Sequence, residues 1–144
     1  MTICPASFYK ARGSAVETEQ RPTAIQLHTR SRELELEYAG GERYRLPCEY
    51  LRVYSPSAEV LGHGPGQEVL QTGKMHVGIK SIKAVGNYAL QPAFDDGHDT
   101  GIYSWGYLYK LCTEREQRWQ DYLDRLSREG GSRDPDVQVV KLDL

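Results

Sequence analysis

The stretch Leu34-Glu35-Leu36-Glu37-Tyr38-Ala39-Gly40-Gly41-Glu42-Arg43-Tyr44-Arg45-Leu46-Pro47-Cys48-Glu49-Tyr50-Leu51-Arg52-Val53-Tyr54 decides the fold class, because the hydrophobic period changes inside it. Leu34 to Tyr38 alternates apolar and polar residues, and Arg43 to Leu46 resumes that alternation after Ala39-Gly40-Gly41. Successive side chains of a strand face opposite sides, so a period of two reads as a half-buried strand. Glycine supplies the positive φ of tight turns, so the two runs read as a β-hairpin. Proline suits the first turn of a helix, and Pro47 is followed by Tyr50, Leu51, Val53 and Tyr54 at helical spacings. The pattern predicts a short helix over 48–54.

Working outward, Ala24 to His28 alternates as a further strand, and order is expected to begin at Pro22. Residues 1–21 show no sustained period and read as a mobile leader. Ser55-Pro56-Ser57 ends the short helix, Ser57 to Val60 starts another turn, and Gly62-His63-Gly64-Pro65-Gly66 is a loop by composition. Val77 to Ile82 and Ala84 to Leu90 read as strands with Gly86-Asn87 as a bulge. Asp95 to His98 reads as a turn and Ile102-Tyr103 as a short strand. Thr113 with Glu116 has the spacing of a capping box, and Trp119, Tyr122, Leu123 and Leu126 form one apolar stripe of a C-terminal helix ended by Gly130-Gly131. Residues 130–144 are expected to be a loose tail in which Val137 to Leu142 adds an edge strand to a partner. Strands early and late, with no βαβ rhythm, predict an α+β, two-layer domain over 22–129 with an antiparallel or mixed sheet.

The 144 residues fit one domain, and 39% hydrophobic with 26% charged residues is ordinary for a globular chain. Ten tyrosines against two phenylalanines and two tryptophans are unusual. They point either to many half-buried walls or to a contact surface. A net charge of −2 and a pI near 6.1 give no global attraction for nucleic acid or an anionic membrane. No apolar run approaches the roughly 20 residues that span a bilayer. The start carries no secretory pattern, and Cys4, Cys48 and Cys112 form neither a disulfide framework nor a zinc spacing. A cytoplasmic protein with reduced thiols is expected.

Several chemistries fail on spacing. Gly73-Lys74 is followed by Met75, and Glu68 stands where a P-loop needs its first glycine. No histidine begins the H-x-D of a non-haem iron triad, and there is no G-x-S-x-G elbow. The chain is therefore not expected to be an enzyme. His98, set among Asp95, Asp96 and Asp99, is the foremost site candidate, since imidazole beside carboxylates suits zinc or ferrous iron. Asp96 and His63 are its candidate co-ligands, and Asp99 is a further one. The opposing reading is a solvated turn. His28 and His76 show no partners in the sequence. Arg52 reads as a surface arginine stacked on a tyrosine, with an anion or partner contact as the alternative. Cys48 and Cys112 read as small core residues rather than reactive thiols.

From Leu46 to Val60, Gly62 to Gly66, Val77 to Lys80, Val85 to Leu90, Phe94 to Asp99 and Ile102 to Trp105, the chain resembles the stand-alone bacterial proteins of the DUF971 group. That group is similar to the N-terminal domain of γ-butyrobetaine hydroxylase and trimethyllysine dioxygenase. The resemblance covers about Pro22 to Leu126 and implies an α+β domain. In the hydroxylases it also implies a structural zinc held by three cysteines and one histidine, with catalysis in a separate oxygenase domain. Leu51-Arg52 looks like the pair before the cysteine cluster, and Asp96-Gly97-His98 like the segment that supplies the histidine. The cysteine positions then fall on Ser55, Ser57 and Val60, so zinc is not expected, and iron becomes the candidate metal. Another branch of the family is fused to P-loop ATPases of iron–sulfur handling. The favoured expectation is a non-catalytic interaction module that acts through a tyrosine-rich surface on a protein partner or as a homodimer. The alternative is an iron-binding accessory protein.

Overall fold

A computed structural model describes residues 20–137. The chain runs β1 (Ala24–His28), β2 (Glu33–Glu37), β3 (Arg43–Pro47), α1 (Cys48–Val53), α2 (Ala58–Leu61), β4 (Ile79–Val85), β5 (Ala89–Phe94), β6 (Tyr103–Ser104), α3 (Trp105–Thr113) and α4 (Arg115–Glu129). Two antiparallel three-stranded sheets, ordered β1-β2-β3 and β4-β5-β6, make this an α+β fold. Most of the predicted leader, residues 1–19, lies outside the described residues, as do residues 138–142 of the predicted edge strand and the two residues after it.

The first sheet carries out the alternation read in the sequence. Leu34 pairs with Leu46 and Leu36 with Tyr44, and Leu34, Leu36 and Leu46 are buried. The opposite face is charged, with Arg45 Nη2 3.0 Å from Glu33 Oε1 and His28 Nε2 2.8 Å from Glu35 Oε1. Glu35 is the partner of His28 that the linear sequence does not display.

Three local readings change. Gly86 and Asn87 belong to the β4–β5 hairpin turn, and the register irregularity sits instead between Ile79 and Ser81. The sequence also left Trp105 to Cys112 unassigned, yet α3 forms there. Ser104 caps it by accepting the Tyr107 N–H at 3.2 Å, and Trp105, Leu108, Leu111 and Cys112 make its buried face. Its aromatic residues favour strands by propensity, and burial of one face overrides that preference. Finally, the capping box at Thr113 does not form. Thr113 ends α3 and donates its hydroxyl to the Tyr109 carbonyl at 3.2 Å, while α4 starts after Glu114 with no side-chain cap.

Tyrosine is mostly wall rather than surface. Tyr50, Tyr54, Tyr103, Tyr107 and Tyr122 donate their hydroxyls to the carbonyls of Leu111, Arg118, Leu51, Tyr54 and Gln71, at 2.5–2.7 Å. Each buries a ring and satisfies a carbonyl where helices and loops meet. Tyr88 alone among the described tyrosines is a large exposed hydrophobic residue. A contact surface built of tyrosine is therefore not what the count signifies.

The segment after α4 is tied down rather than loose as far as residue 137. The Gly73 and Met75 N–H groups donate to the Ser132 and Arg133 carbonyls, both at 2.9 Å. Arg133 meets the buried Glu49 carboxylate through two bonds of 2.7 Å, and its guanidinium stacks 5.1 Å from the Trp119 ring. No described helix is long and apolar enough to cross a membrane.

Candidate functional site

Helix α1 is buried all round, including its two charged residues. Glu49 is held by Arg133. Arg52, 7% exposed, donates from Nε to Asp96 Oδ2 at 2.9 Å and from Nη1 to Gln71 Oε1 at 3.0 Å. The surface reading of Arg52 is thereby corrected, and the reason is distance along the chain. Its partners lie 44 and 19 residues away, beyond any local pattern. Asp96 also takes a bond from Lys74 Nζ at 2.5 Å. Burial opposes its ionisation, but Lys74, the His98 N–H and Arg52 outweigh that and hold the carboxyl down at about 2.

His98 follows from the same turn. Gly97 takes φ +91°, a conformation costly for any residue with a Cβ, and the Phe94 N–H then donates to the His98 carbonyl at 2.9 Å. The turn directs the imidazole inward, and His98 is 8% exposed. Its Nε2 lies 2.8 Å from Ser55 Oγ and 3.3 Å from Ser57 Oγ, and its Nδ1 lies 3.2 Å from Glu59 Oε1. A carboxylate can only accept, so Nδ1 carries the proton and Nε2 accepts from the serine hydroxyls. Burial first, then the Arg52 charge, lowers the pKa of His98, while Glu59 and Asp96 oppose. Thr100 Oγ1 donates to the same Glu59 oxygen at 2.6 Å. Gly101 completes the cluster by close approach, since a Cβ there would overlap Ser55 Oγ.

Ser55, His98 and Glu59 stand in the order of a nucleophile, a base and an orienting carboxylate. Ser55 is 0% exposed, however, and its hydroxyl is enclosed by His98, Gly101 and the Ser57 N–H. The donor set does not fit zinc either. Ser55 and Ser57 contribute neutral hydroxyls already bonded to His98, and Val60 contributes none, whereas structural zinc takes four sulfur or nitrogen donors. For iron, Asp96 is bound by two cations, and His63 sits past the α2 cap residue Gly62, outside the hollow of about 280 Å³ around His98. Asp99 borders that hollow, and its carbonyl accepts from Gln91. Among the described residues no three His, Cys, Asp or Glu side chains converge as a metal site. Burial pushes the Cys48 thiol up to about 11 and the Cys112 thiol up to about 12, so neither is a thiolate at neutral pH.

A second feature was not singled out in the sequence. An apolar cleft of about 230 Å³ opens beside the cluster, floored by Val53, Val60, Leu70 and Tyr122 from α1, α2, the following loop and α4. Leu61 and Val69, 47% and 52% exposed, form its lip. Only the turn starting at Ser57 and the apolar stripe of α4 were visible in sequence, not their meeting.

Residues 25–109 match the family model described as gamma-butyrobetaine hydroxylase-like, N-terminal. A protein solved by NMR in solution is 54% identical over 87% of this chain and 98% of its own, with a TM-score of 0.72. A second NMR structure is 47% identical over 87% of this chain and 94% of its own, with a TM-score of 0.69. A crystal structure of a protein of unknown function from Acidithiobacillus ferrooxidans, in the DUF971 family, is 39% identical. That match covers 66% of this chain and 93% of the other, with a TM-score of 0.53. No curated protein matches the chain.

Proposed function

Because the chain belongs to the gamma-butyrobetaine hydroxylase-like N-terminal family, we propose that it is a non-catalytic accessory module that docks on a protein partner through the cleft between α2 and α4. The observation that carries this reading is the cleft itself, an apolar floor with Leu61 and Val69 left exposed at its lip. The polar cluster beside it offers no competing chemistry, because the bonds of His98, Ser55 and Asp96 are closed internally.

The occupant that fits is one apolar side chain of a partner protein, leucine or phenylalanine in size. Charge defines what flanks it. Among the described residues, Arg128, Glu68 and Asp121 border the cleft without an ion-pair partner, whereas Arg125 is paired with Glu129. The partner segment therefore carries an acidic residue opposite Arg128 and basic ones opposite Glu68 and Asp121. Cys48 and Cys112 are free and buried, which suits work in the reducing cytoplasm.

Site-specific photo-crosslinking in cells tests the reading. A benzophenone side chain at Leu61 is expected to yield one adduct of defined mass, strongly weakened by Arg128→Glu. The same probe at Lys83, exposed on β4, is expected to yield none. Equal adducts from both positions, or no adduct from Leu61, would overturn it.

A further inference from the structure

We infer that this chain holds the α1–α2 turn against the β5–β6 loop with a metal-independent hydrogen-bonded lock centred on His98, at the place where the family resemblance implies zinc. Three segments meet there. Ser55 and Ser57 come from the turn between α1 and α2, Glu59 from α2, and His98 from the loop after β5. Each bond within the cluster joins groups 39 to 43 residues apart or closes the turn on itself, as the 2.8 Å Ser55–His98 and 3.4 Å Ser57–Ser55 contacts do. The lock thus bridges the same two stretches of chain that a bound ion would clamp.

Its chemistry is complete without an ion. Zinc draws anionic thiolates or neutral imidazoles to itself, and a thiolate set needs sulfur. Neither described cysteine belongs to the cluster. Cys48 lies in the hydrophobic core, and Cys112 lies 4.0 Å from the Tyr38 hydroxyl. The serines instead present protons to Nε2, the atom that would face a metal, while Nδ1–H is turned to Glu59. Val60 fills the last position with apolar surface and joins the floor of the neighbouring cleft, and it is 5% exposed. Gly101 leaves the space that Ser55 Oγ occupies. Arg52 and Lys74 are both bonded to Asp96, so that carboxylate is already engaged by two cations of the chain itself.

Thermal unfolding of the whole chain with and without chelator tests this, with metal content read by mass spectrometry. The expected result is an unchanged midpoint and no stoichiometric zinc or iron after chelation. Ser55→Ala is expected to lower the midpoint by several degrees, equally with and without chelator. The triple variant Ser55→Cys, Ser57→Cys, Val60→Cys is expected to take up one Co(II) per chain and to show thiolate charge-transfer absorption. A midpoint that drops on chelation, or a Ser55→Ala midpoint that does not move, overturns the inference. A folded triple variant that binds no Co(II) overturns the siting of the lock. If that variant does not fold, the chelator and Ser55→Ala arms decide alone.

Discussion

Ser55 Oγ and His98 Nε2 lie 2.8 Å apart across 43 residues of chain, and both side chains are buried. Replacing Ser55 by alanine leaves an imidazole nitrogen with only the longer, 3.3 Å, bond from Ser57. The expected loss is about 1–3 kcal/mol, the cost of an under-satisfied buried acceptor. Urea denaturation measures it through the midpoint at unchanged m-value. A variant as stable as the parent would show that the bond is ornamental.

The acid side of the stability curve is expected to fall in two steps. The folded-state pKa of His98 is depressed by burial and Arg52, so the folded protein resists a proton that the unfolded chain accepts near 6.5. That contribution is whole above 6.5 and is lost as pH falls from there toward the folded-state value. Asp96 acts lower down: its contribution is whole above 3.8 and is lost as pH falls from 3.8 to about 2. The groups facing His98 are Glu59, Asp96, Arg52 and Lys74. Unfolding midpoints across pH should show the first step vanish in His98→Gln while the second remains. A first step of full size in that variant would assign it to another group.

Arg133→Met should strand the Glu49 carboxylate, whose side chain is 7% exposed. The Arg133 side chain is 35% exposed, so the loss is expected near 2 kcal/mol, below the roughly 3–5 kcal/mol of a fully buried pair. Amide exchange at Gly73 and Met75, which bond the 132–133 backbone, should quicken most. Uniform quickening, or none, would mean that the segment after α4 is not pinned through this pair.

Cys48 and Cys112, pushed to about 11 and about 12 by burial, should resist a disulfide reagent in the native protein. In a Cys4→Ser background no thiol should titrate at pH 8 until denaturant is added. Rapid labelling of either residue would place it at the surface.

Local signals in the sequence carried much of the fold. Alternation located β1, β2 and β3, Pro47 marked the entry to α1, and the stripe from Trp119 to Leu126 located α4. What stayed hidden depends on contacts between distant segments. The buried ion pairs of α1 join Glu49 to Arg133 and Arg52 to Asp96, and a short helix with two charged residues resembles a surface helix until those partners arrive. Tyrosine was ambiguous for the same reason, since only the fold supplies the carbonyls that take its hydroxyls. At the candidate site, His98 stood out by its neighbours in sequence. Of those carboxylates Asp96 is turned to Arg52 and Lys74, and the residues that reach its ring are Ser55, Ser57 and Glu59. The family resemblance had already marked Ser55 and Ser57, as positions that lacked a cysteine, and the structure gives them a role of their own.

Long-range nitrogen-15 NMR of the His98 ring at pH 7, before and after one equivalent of zinc or ferrous iron, tests the central claim most directly. The closed cluster predicts a neutral ring protonated on Nδ1, with an Nε2 resonance that neither metal moves. An Nε2 resonance shifted stoichiometrically by metal, or a ring protonated on Nε2, would contradict it.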